Sequence, residues 1–352
     1  MTAIVTLEPA GRRFEVQPDE TILAAALRHG ITLPYGCRDG ACGACKCQLL
    51  AGAVSHGHHA RAALTEREEA QGRILACCAR PQGDVVLQGR ELVGLGDVPI
   101  RRMPCRVARI ERPAHDVAVV RLQLPAGDPL QYRAGQYLDF ILRDGTRRSY
   151  SIATAPGADA TLELHVRHMP GGRFTDMLFG VAEPAVKERD ILRCEAPLGT
   201  FFLREEDPHP IVLLAGGTGF APIKAIAEHV FRRGLNRDAP GRAARRIALY
   251  WGCRARRDLY LDALPAQWAA TEPNFSYVPV LSEASPQDAW SGATGLVHEA
   301  VMRDFPDLSG HQVYACGAPA MIDAAQRDFA ARCGLPQEQF FADSFVSQAD
   351  LA

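Results

Sequence analysis

Four cysteines crowded into one short segment constrain this chain more than any other feature. Cys37, Cys42, Cys45 and Cys47 lie within eleven residues, and the whole chain has 11 cysteines. A disulfide scaffold would be a short chain with more even cysteine spacing. The first three cysteines follow the pattern Cys-x4-Cys-x2-Cys, which lets one loop supply three of the four thiolates of a plant-type 2Fe–2S cluster. The segment therefore predicts an iron–sulfur site.

The fourth thiolate must come from elsewhere, and the sequence offers Cys77 and Cys78. The apolar residues 74–76 predict a buried strand just before Cys77, which favours Cys77. A zinc ribbon fits less well, because it needs paired Cys-x2-Cys knuckles and only one such pair occurs. We interpret the nearby histidines at 56, 58 and 59 as part of a solvated loop, since four cysteines already suffice. The predicted metal ligands are Cys37, Cys42, Cys45 and Cys77.

Length and composition limit the remaining possibilities. The chain has 352 residues, which suggests two or three domains. Its formal net charge is −2 and it has no basic run, so nucleic-acid binding is not expected. No apolar stretch reaches the roughly 18 residues of a membrane span, and the N-terminus does not resemble a signal peptide. We expect a cytoplasmic protein with no membrane partner.

The pattern of elements divides the chain into three segments. Residues 1–95 contain a short β pair, a helix over Ile22–His29 and the cysteine loop. Leu92–Met103 is predicted to be a linker because it contains several turn residues. Residues 101–206 alternate in short strands typical of an antiparallel barrel, and residues 207–352 alternate strands with helices, which indicates a parallel α/β sheet.

Two pieces of the middle segment indicate a flavin. Arg148 and Tyr150 fall on one side of a predicted strand, where an arginine can hold a phosphate and a tyrosine can stack on a flavin. Ser151 then offers a hydroxyl near the ring edge. Further on, Gly171, Gly172 and Thr175 precede a predicted helix at 176–179, where backbone N–H groups can meet a phosphate. Each piece alone could also be an ordinary loop.

The last segment carries a glycine-rich turn between a strand and a helix. Its glycines allow the backbone to approach a dinucleotide pyrophosphate, although the pattern differs from the Rossmann fingerprint. The predicted cofactor-binding residues here are Gly216, Gly217, Thr218, Gly219 and Pro222. A second strand ends at Cys316 and Gly317, where ligands of open α/β sheets bind. A buried structural role for Cys316 explains the sequence equally well.

The identity of the dinucleotide depends on one carboxylate. Glu283 follows the strand at 276–280, where it could accept a hydrogen bond from a ribose 2′-hydroxyl and would repel a 2′-phosphate. Arginines at 254, 256 and 257 argue the other way. The sequence favours NADH over NADPH.

Taken together, the chain resembles ferredoxin reductase-type flavoproteins with an N-terminal plant-type ferredoxin domain. Within this family, segments 33–37, 163–167 and 198–202 resemble CDP-6-deoxy-delta-3,4-glucoseen reductases. The resemblance implies a β-grasp first domain and an FAD-binding barrel. It also implies that Ser151 lies near flavin N5, that Gly172 and Thr175 contact the FAD pyrophosphate, and that Cys316 borders the nicotinamide. Phe345 would be the aromatic residue that covers the flavin.

The resemblance also implies a route for electrons. They would pass from NADH to FAD, then to the 2Fe–2S cluster, and then to a protein acceptor. That acceptor is either a sugar dehydrase or an oxygenase component, and the sequence leaves both open. Two other functions are a stand-alone flavin or quinone reductase and a redox-sensing module without turnover.

Overall fold

The computed structural model describes residues 2–92, 98–127, 129–157 and 161–346. The chain forms two compact units, one of residues 1–99 with 345–352 and one of residues 100–344. Within the described residues, no helix combines the length and the apolar character needed to cross a bilayer.

The first unit is a mixed sheet that packs against one helix. Its strands are Ala3–Glu8 (β1), Arg12–Val16 (β2), Lys46–Ala51 (β3), Val54–His56 (β4), Arg73–Leu75 (β5), Ala79–Pro81 (β6) and Val85–Gln88 (β7), and its helices are Ile22–Arg28 (α1) and Glu66–Ala70 (α2). Five strands pair in the order β2-β1-β7-β3-β5, with β1 and β7 parallel. Helix α1 begins after the N-cap Thr21 and buries Ile22 and Leu23 in the core. This is the β-grasp arrangement that the family resemblance implies.

The second unit begins with an antiparallel barrel-like sheet. Its elements are Arg101–Ala114 (β8), Val117–Gln123 (β9), Tyr137–Ile141 (β10), Arg147–Ser151 (β11), Thr161–Arg167 (β12), Arg173–Phe179 (α3) and Ile191–Leu198 (β13). The strand order is β11-β10-β13-β8-β9-β12, and a bridge between Ile152 and Leu164 joins the two outer segments. The sequence predicts that the linker extends to Met103, and this is wrong. Residues 101–103 already belong to β8 and pair with β13. Its residues 93–97 lie outside the described residues.

The rest of the second unit is a parallel sheet with helices. Its elements are Ile211–Gly216 (β14), Phe220–Arg232 (α4), Ile247–Cys253 (β15), Ala263–Thr271 (α5), Phe275–Leu281 (β16), Ala293–Thr294 (β17), Val297–Asp304 (α6), Gln312–Gly317 (β18), Pro319–Cys333 (α7) and Phe340–Ser344 (β19). The order β17-β16-β15-β14-β18-β19 reverses direction between β14 and β18. In open α/β sheets, ligands bind beyond the carboxyl ends of the strands at such a switch point.

Candidate functional site

The cysteine loop brings the predicted iron ligands together in two pairs. The sulfurs of Cys45 and Cys77 are 3.2 Å apart. The backbone N–H groups of Ala41 and Cys42 donate to the Cys37 sulfur at 3.3 Å, and the Cys37 N–H donates to the Cys42 sulfur at 3.3 Å. N–H groups aimed at sulfur stabilise thiolates and tune a bound cluster. The donor set fits a 2Fe–2S cluster.

The pKa shifts in the loop are those of hydrogen-bonded pairs of thiols. The hydrogen bond between the two side chains lowers the pKa of Cys42 to about 6 and raises the pKa of Cys37. Cys42 is therefore the thiolate of this pair, the form in which cysteine binds iron. The hydrogen bond with Cys45 raises the pKa of Cys77, and burial raises the pKa of Cys47 to about 12.

Cys78 lies close to the predicted fourth ligand. Its sulfur is 3.6 Å from the Cys77 sulfur and 3.4 Å from the carbonyl oxygen of His58. A Cβ on Gly40 would lie 2.6 Å from the Cys78 sulfur, and Gly40 has φ +84°. The loop therefore closes over Cys78 only because residue 40 is glycine. The choice of Cys77 as ligand stays a prediction.

Strand β11 presents Arg148 and Tyr150 on one face and Ser149 on the other. Tyr150 is half-buried, with its ring centroid 5.3 Å from Phe174. Burial raises the pKa of Tyr150, so its hydroxyl stays neutral. Ser149 donates to the Asp139 carboxylate at 2.6 Å, which fixes the strand from behind. This face offers an aromatic ring beside a guanidinium, the pair that a flavin phosphate and ring would use.

Helix α3 begins earlier than the sequence predicts. It starts at Arg173 directly after Gly172, whereas the sequence predicts residue 176. The Thr175 hydroxyl donates to the Met169 carbonyl oxygen at 2.9 Å and accepts from the Met169 N–H at 3.2 Å. Gly171 donates its N–H to Asp176 at 3.1 Å. Thr175 therefore fastens the loop, and its contact with a phosphate stays a prediction.

The glycine-rich loop follows β14 at the switch point. Residues 217–219 form a 3-10 turn, and Gly217 has φ +53°. A Cβ on Gly219 would lie 2.1 Å from the carbonyl oxygen of Cys316, so only glycine fits there. Trp251 donates its indole N–H to the Gly217 carbonyl oxygen at 2.9 Å. The turn is thus held from two sides.

The other predicted residues of this loop lie around the same turn. Thr218 is buried, and Pro222 is buried in the first turn of α4. A Cβ on Gly216 would lie 2.7 Å from the Met321 sulfur, and one on Gly317 would lie 3.1 Å from the Gly216 Cα. The ends of β14 and β18 therefore touch at two further glycines.

Cys316 stands at the carboxyl end of β18, where the sequence places it, and its side chain is fully buried. Burial raises the pKa of this thiol well above its usual value, so the thiol is neutral. Ser151 is also buried, opposite Tyr137 in the sheet. Catalytic roles for Ser151 and Cys316 stay predictions.

Glu283 and Arg254 form one exposed pair. The glutamate carboxylate lies 3.8 Å from the guanidinium, and the Glu283 side chain is 69% exposed. The two residues that bear on the identity of the dinucleotide therefore face each other from neighbouring loops, Arg254 after β15 and Glu283 after β16. Phe345 is half-buried and is grouped with the first compact unit, and its role at a flavin stays a prediction.

Arg167, at the end of β12, is a candidate site residue that the sequence pattern does not predict. A Cβ on Gly217 would lie 3.0 Å from a terminal nitrogen of the Arg167 guanidinium. The Arg167 Nε lies 3.2 Å from an Asp116 carboxylate oxygen, while the other oxygen of Asp116 is buried and has no hydrogen-bond partner among the described residues. A cation beside the glycine turn suits an anionic pyrophosphate. A single arginine in an arginine-rich chain gives no sequence signal.

A buried ionic network was also missed. Lys224 on α4 lies 3.2 Å from Glu163 and 2.7 Å from Glu228. Glu163 also contacts His165 at 3.0 Å, and the other ring nitrogen of His165 lies 2.8 Å from the Tyr260 hydroxyl. The network connects the antiparallel sheet to the nucleotide segment, behind the glycine turn.

Comparisons with known proteins agree with these three site regions. Residues 5–82 match the family model for a 2Fe-2S iron-sulfur cluster binding domain, residues 104–203 that for an oxidoreductase FAD-binding domain, and residues 213–327 that for an oxidoreductase NAD-binding domain. These matches assign a 2Fe–2S cluster, FAD and a nicotinamide dinucleotide as cofactors.

Whole-chain relatives combine the same three domains. The chain is 42% identical to the CDP-6-deoxy-L-threo-D-glycero-4-hexulose-3-dehydrase reductase of Yersinia pseudotuberculosis, over 98% of this chain and 99% of the relative. It is 35% identical to reductase component 1 of the terephthalate 1,2-dioxygenase of a Comamonas species, over 95% and 94%. Among solved structures, the Amycolatopsis cytochrome P450 reductase GcoB is similar, with TM-score 0.78, 34% identity and coverage of 98% and 99%. The chain belongs to the family of ferredoxin reductase-type flavoproteins with an N-terminal 2Fe–2S domain, and it is an oxidoreductase of the kind that supplies electrons to a partner protein.

Proposed function

We propose that this reductase oxidises NADH and supplies electrons to a dehydrase that acts on a nucleotide-linked 6-deoxyhexulose. The observation that carries the proposal is the 42% identity, over nearly the full length of both chains, to a reductase named for such a dehydrase. The dioxygenase reductase reaches only 35% over a smaller share of both chains.

The chemistry needs a two-electron donor to be connected to one-electron acceptors. FAD held by Arg148 and Tyr150 would supply the exchange between a hydride and single electrons, and a 2Fe–2S cluster held by the four cysteines would supply one-electron transfer. The protein contributes positioning, since hydride transfer needs the reacting atoms within about 3–3.5 Å. In this proposal, the glycine turn at 216–219 holds the dinucleotide pyrophosphate, with Arg167 as its counter-charge.

The remaining residues have positioning roles in the same proposal. Arg148 and Tyr150 bind the FAD phosphate and the flavin ring from one face of β11, and Ser151 lies near the reacting nitrogen. Gly171 and Gly172 leave room for the FAD pyrophosphate. Cys316 shapes the nicotinamide pocket as a neutral, buried thiol. Cys37, Cys42, Cys45 and Cys77 hold the iron.

NADH preference belongs to the proposal and rests on Glu283. The carboxylate is exposed and therefore accessible to a ribose, while Arg254 beside it is partly neutralised by the pair. A cytoplasmic location is supported by the state of the cysteines, because none of the 11 forms a disulfide within the described residues. Cysteines in this number without disulfides suit a reducing compartment.

Reconstitution with a purified partner tests the proposal. The holoenzyme is mixed with NADH and either a CDP-6-deoxy-L-threo-D-glycero-4-hexulose 3-dehydrase with its substrate or the oxygenase component of a terephthalate dioxygenase. We expect deoxygenated sugar product with the dehydrase, at a rate well above the rate of NADH oxidation without a partner. Turnover with the oxygenase alone would assign the reductase to an oxygenase system, which is the second candidate because of the dioxygenase and P450 relatives.

The same preparation separates the other possibilities. A redox sensor would show no steady oxidation of NADH with ferricyanide or cytochrome c. A stand-alone reductase would reduce free quinone as fast as it supplies the partner protein.

A further inference from the structure

A cluster of two histidines and one glutamate lies in the first unit, outside the cysteine site. His56 ends β4, His59 follows in the next loop, and Glu69 lies on α2. One possible ligand atom from each of the three lies within 4.8 Å of the others. The family comparisons assign this unit only a 2Fe–2S cluster, which is held by cysteines.

The local geometry differs from the solvated loop that the sequence predicts. The His56 side chain is only 14% exposed, and its Nδ1 is 3.4 Å from the Glu69 carboxylate. That separation is longer than an ordinary hydrogen bond of about 2.7–3.2 Å. It matches the roughly 3.3 Å between two ligands that each lie about 2.0–2.1 Å from a tetrahedral zinc ion.

His59 is oriented by its own loop. Its Nδ1 lies 2.9 Å from the carbonyl oxygen of Gly57. Donation to a backbone carbonyl fixes the tautomer and leaves the lone pair of Nε2 for a metal, as is usual for a histidine that binds a metal. The ring centroids of His56 and His59 are 5.9 Å apart and the ring planes meet at 65°, so the two imidazoles are in edge contact.

The supporting elements are held in place. His56 pairs with Ala79 in the ladder of β4 and β6. Helix α2 begins with a capping box, in which Thr65 and Glu68 satisfy each other's backbone N–H groups. His56 therefore comes from a paired strand and Glu69 from a capped helix. His59 comes from a loop in which Gly57 and Ala60, on either side of it, form backbone hydrogen bonds.

We propose that His56, His59 and Glu69 form a binding site for a divalent transition-metal ion of the Zn²⁺ type. Two imidazoles and one carboxylate supply three ligands, and the exposed side of Glu69 leaves a fourth position for water. The proposal does not depend on which partner protein the reductase serves.

Metal binding here would act on the iron–sulfur loop. Ala60 donates its N–H to the Gly40 carbonyl oxygen at 3.1 Å, and Gly57 donates to the Cys78 carbonyl oxygen at 3.0 Å. The histidine loop is thus tied to the cysteine loop and to the residue after Cys77. An ion that joins His56, His59 and Glu69 would stiffen both loops.

The test uses Zn²⁺ and the holoenzyme with intact cluster absorbance. After removal of loosely held metal, we expect equilibrium dialysis and elemental analysis to give one zinc per chain with a Kd below about 10 μM. X-ray absorption at the zinc edge should show nitrogen and oxygen neighbours. Sulfur neighbours would place the zinc on cysteines and overturn the proposal, as would failure to bind one equivalent.

Variants identify the ligands. His56→Gln and His59→Gln should each weaken zinc binding by more than roughly 10–100-fold, the loss typical when a residue that only hydrogen-bonds to a metal ligand is removed. His58→Gln is the matched control, because His58 is exposed in the same loop and lies outside the cluster. Equal losses in all three variants would overturn the proposal. Glu69→Gln, on a partly exposed side chain, tests the site without disturbing the loop.

Discussion

Lys224 and Ala153 join the two halves of the larger unit, with the lysine ammonium 3.0 Å from the alanine carbonyl oxygen. Ala153 follows Ser151 by two residues, so the lysine on α4 holds the segment in which the flavin-binding serine is predicted. Glu163 and Glu228 balance the charge of this buried lysine. This network is therefore one of the contacts that position the glycine turn relative to β11, together with the bonds from Arg232 to the carbonyl oxygens of Ala155 and Pro156.

Lys224→Met should destabilise the second unit by about 3 kcal/mol. The change removes one cationic partner of the partly buried Glu163 carboxylate and leaves Arg121 at 3.4 Å. Breaking a buried ion pair typically costs about 3–5 kcal/mol, and the remaining partner places the expected loss at the lower end. The three tryptophans, at 251, 268 and 290, all lie in this unit, so tryptophan fluorescence during denaturation reports its unfolding. Lys187→Met is the control because Lys187 is exposed. Equal stability of the two variants would contradict the prediction.

His165 should make the stability of the second unit depend on pH. Burial lowers the pKa of His165 despite its contact with Glu163. As the pH falls below about 6.5, the unfolded chain takes up a proton that the folded chain does not, so stability falls by up to about 1.4 kcal/mol per pH unit.

Thermal unfolding between pH 7.5 and 5.5, followed by tryptophan fluorescence, measures this effect. We expect a shallower decline in His165→Gln than in the unsubstituted protein. His115→Gln should keep the original slope, because His115 is 63% exposed. The idea fails if both variants have the same slope.

Arg167→Ala should raise the KM for NADH roughly tenfold, which corresponds to losing about 1.4 kcal/mol of binding free energy. The guanidinium lies beside Gly217 and would lose its attraction for the pyrophosphate, while kcat changes less. Steady-state kinetics with ferricyanide measure both constants. The control is Arg109→Ala, since Arg109 is 62% exposed beside Glu111. An unchanged KM would remove Arg167 from the site.

Cys42→Ser should abolish the visible iron–sulfur absorbance and leave NADH oxidation by ferricyanide largely intact, because the flavin and nucleotide segments belong to a separate unit. Cys78→Ser is the matched variant and should retain the absorbance, since Cys77 still supplies the fourth sulfur. If Cys78→Ser loses the absorbance and Cys77→Ser retains it, then Cys78 and not Cys77 is the fourth iron ligand.

Glu283→Arg should raise the kcat/KM for NADPH relative to NADH about tenfold, because it replaces a repulsive carboxylate with a partner for a 2′-phosphate. The ratio is measured with both dinucleotides under the same conditions. Glu338→Arg makes the same charge change at another exposed glutamate and should leave the ratio unchanged. An unaltered ratio in Glu283→Arg would mean that this residue does not face the ribose.

Local features of the site could be predicted from the sequence. The spacing of Cys37, Cys42 and Cys45 determines a loop that needs no distant information. The alternation of β11 likewise places Arg148 and Tyr150 on one face. The fold of each segment followed from its periodicity, and the family models agree with the iron–sulfur, flavin and nucleotide-binding regions.

Features that depend on distant contacts could not be predicted. Lys224 lies on a helix whose other residues form an ordinary amphipathic pattern. Only the fold shows that its ammonium contacts Ala153 and Glu163. The early start of α3 depends on the bonds of Thr175 to Met169. The cluster of His56, His59 and Glu69 needs α2 to pack beside β4, which no spacing rule encodes.

The nucleotide segment contains positions that cannot change and positions that can. Gly219, which lies against the carbonyl of Cys316, belongs to the first kind. Adding one methyl group at Gly219 would push the turn after β14 away from the end of β18, so this part of the dinucleotide site cannot tolerate substitution. The side chains of Arg254 and Glu283 are instead largely exposed and free to change without repacking. If Glu283 faces the ribose, as proposed, a lineage could exchange one nicotinamide coenzyme for the other at these two outer loops while the inner turn stays the same.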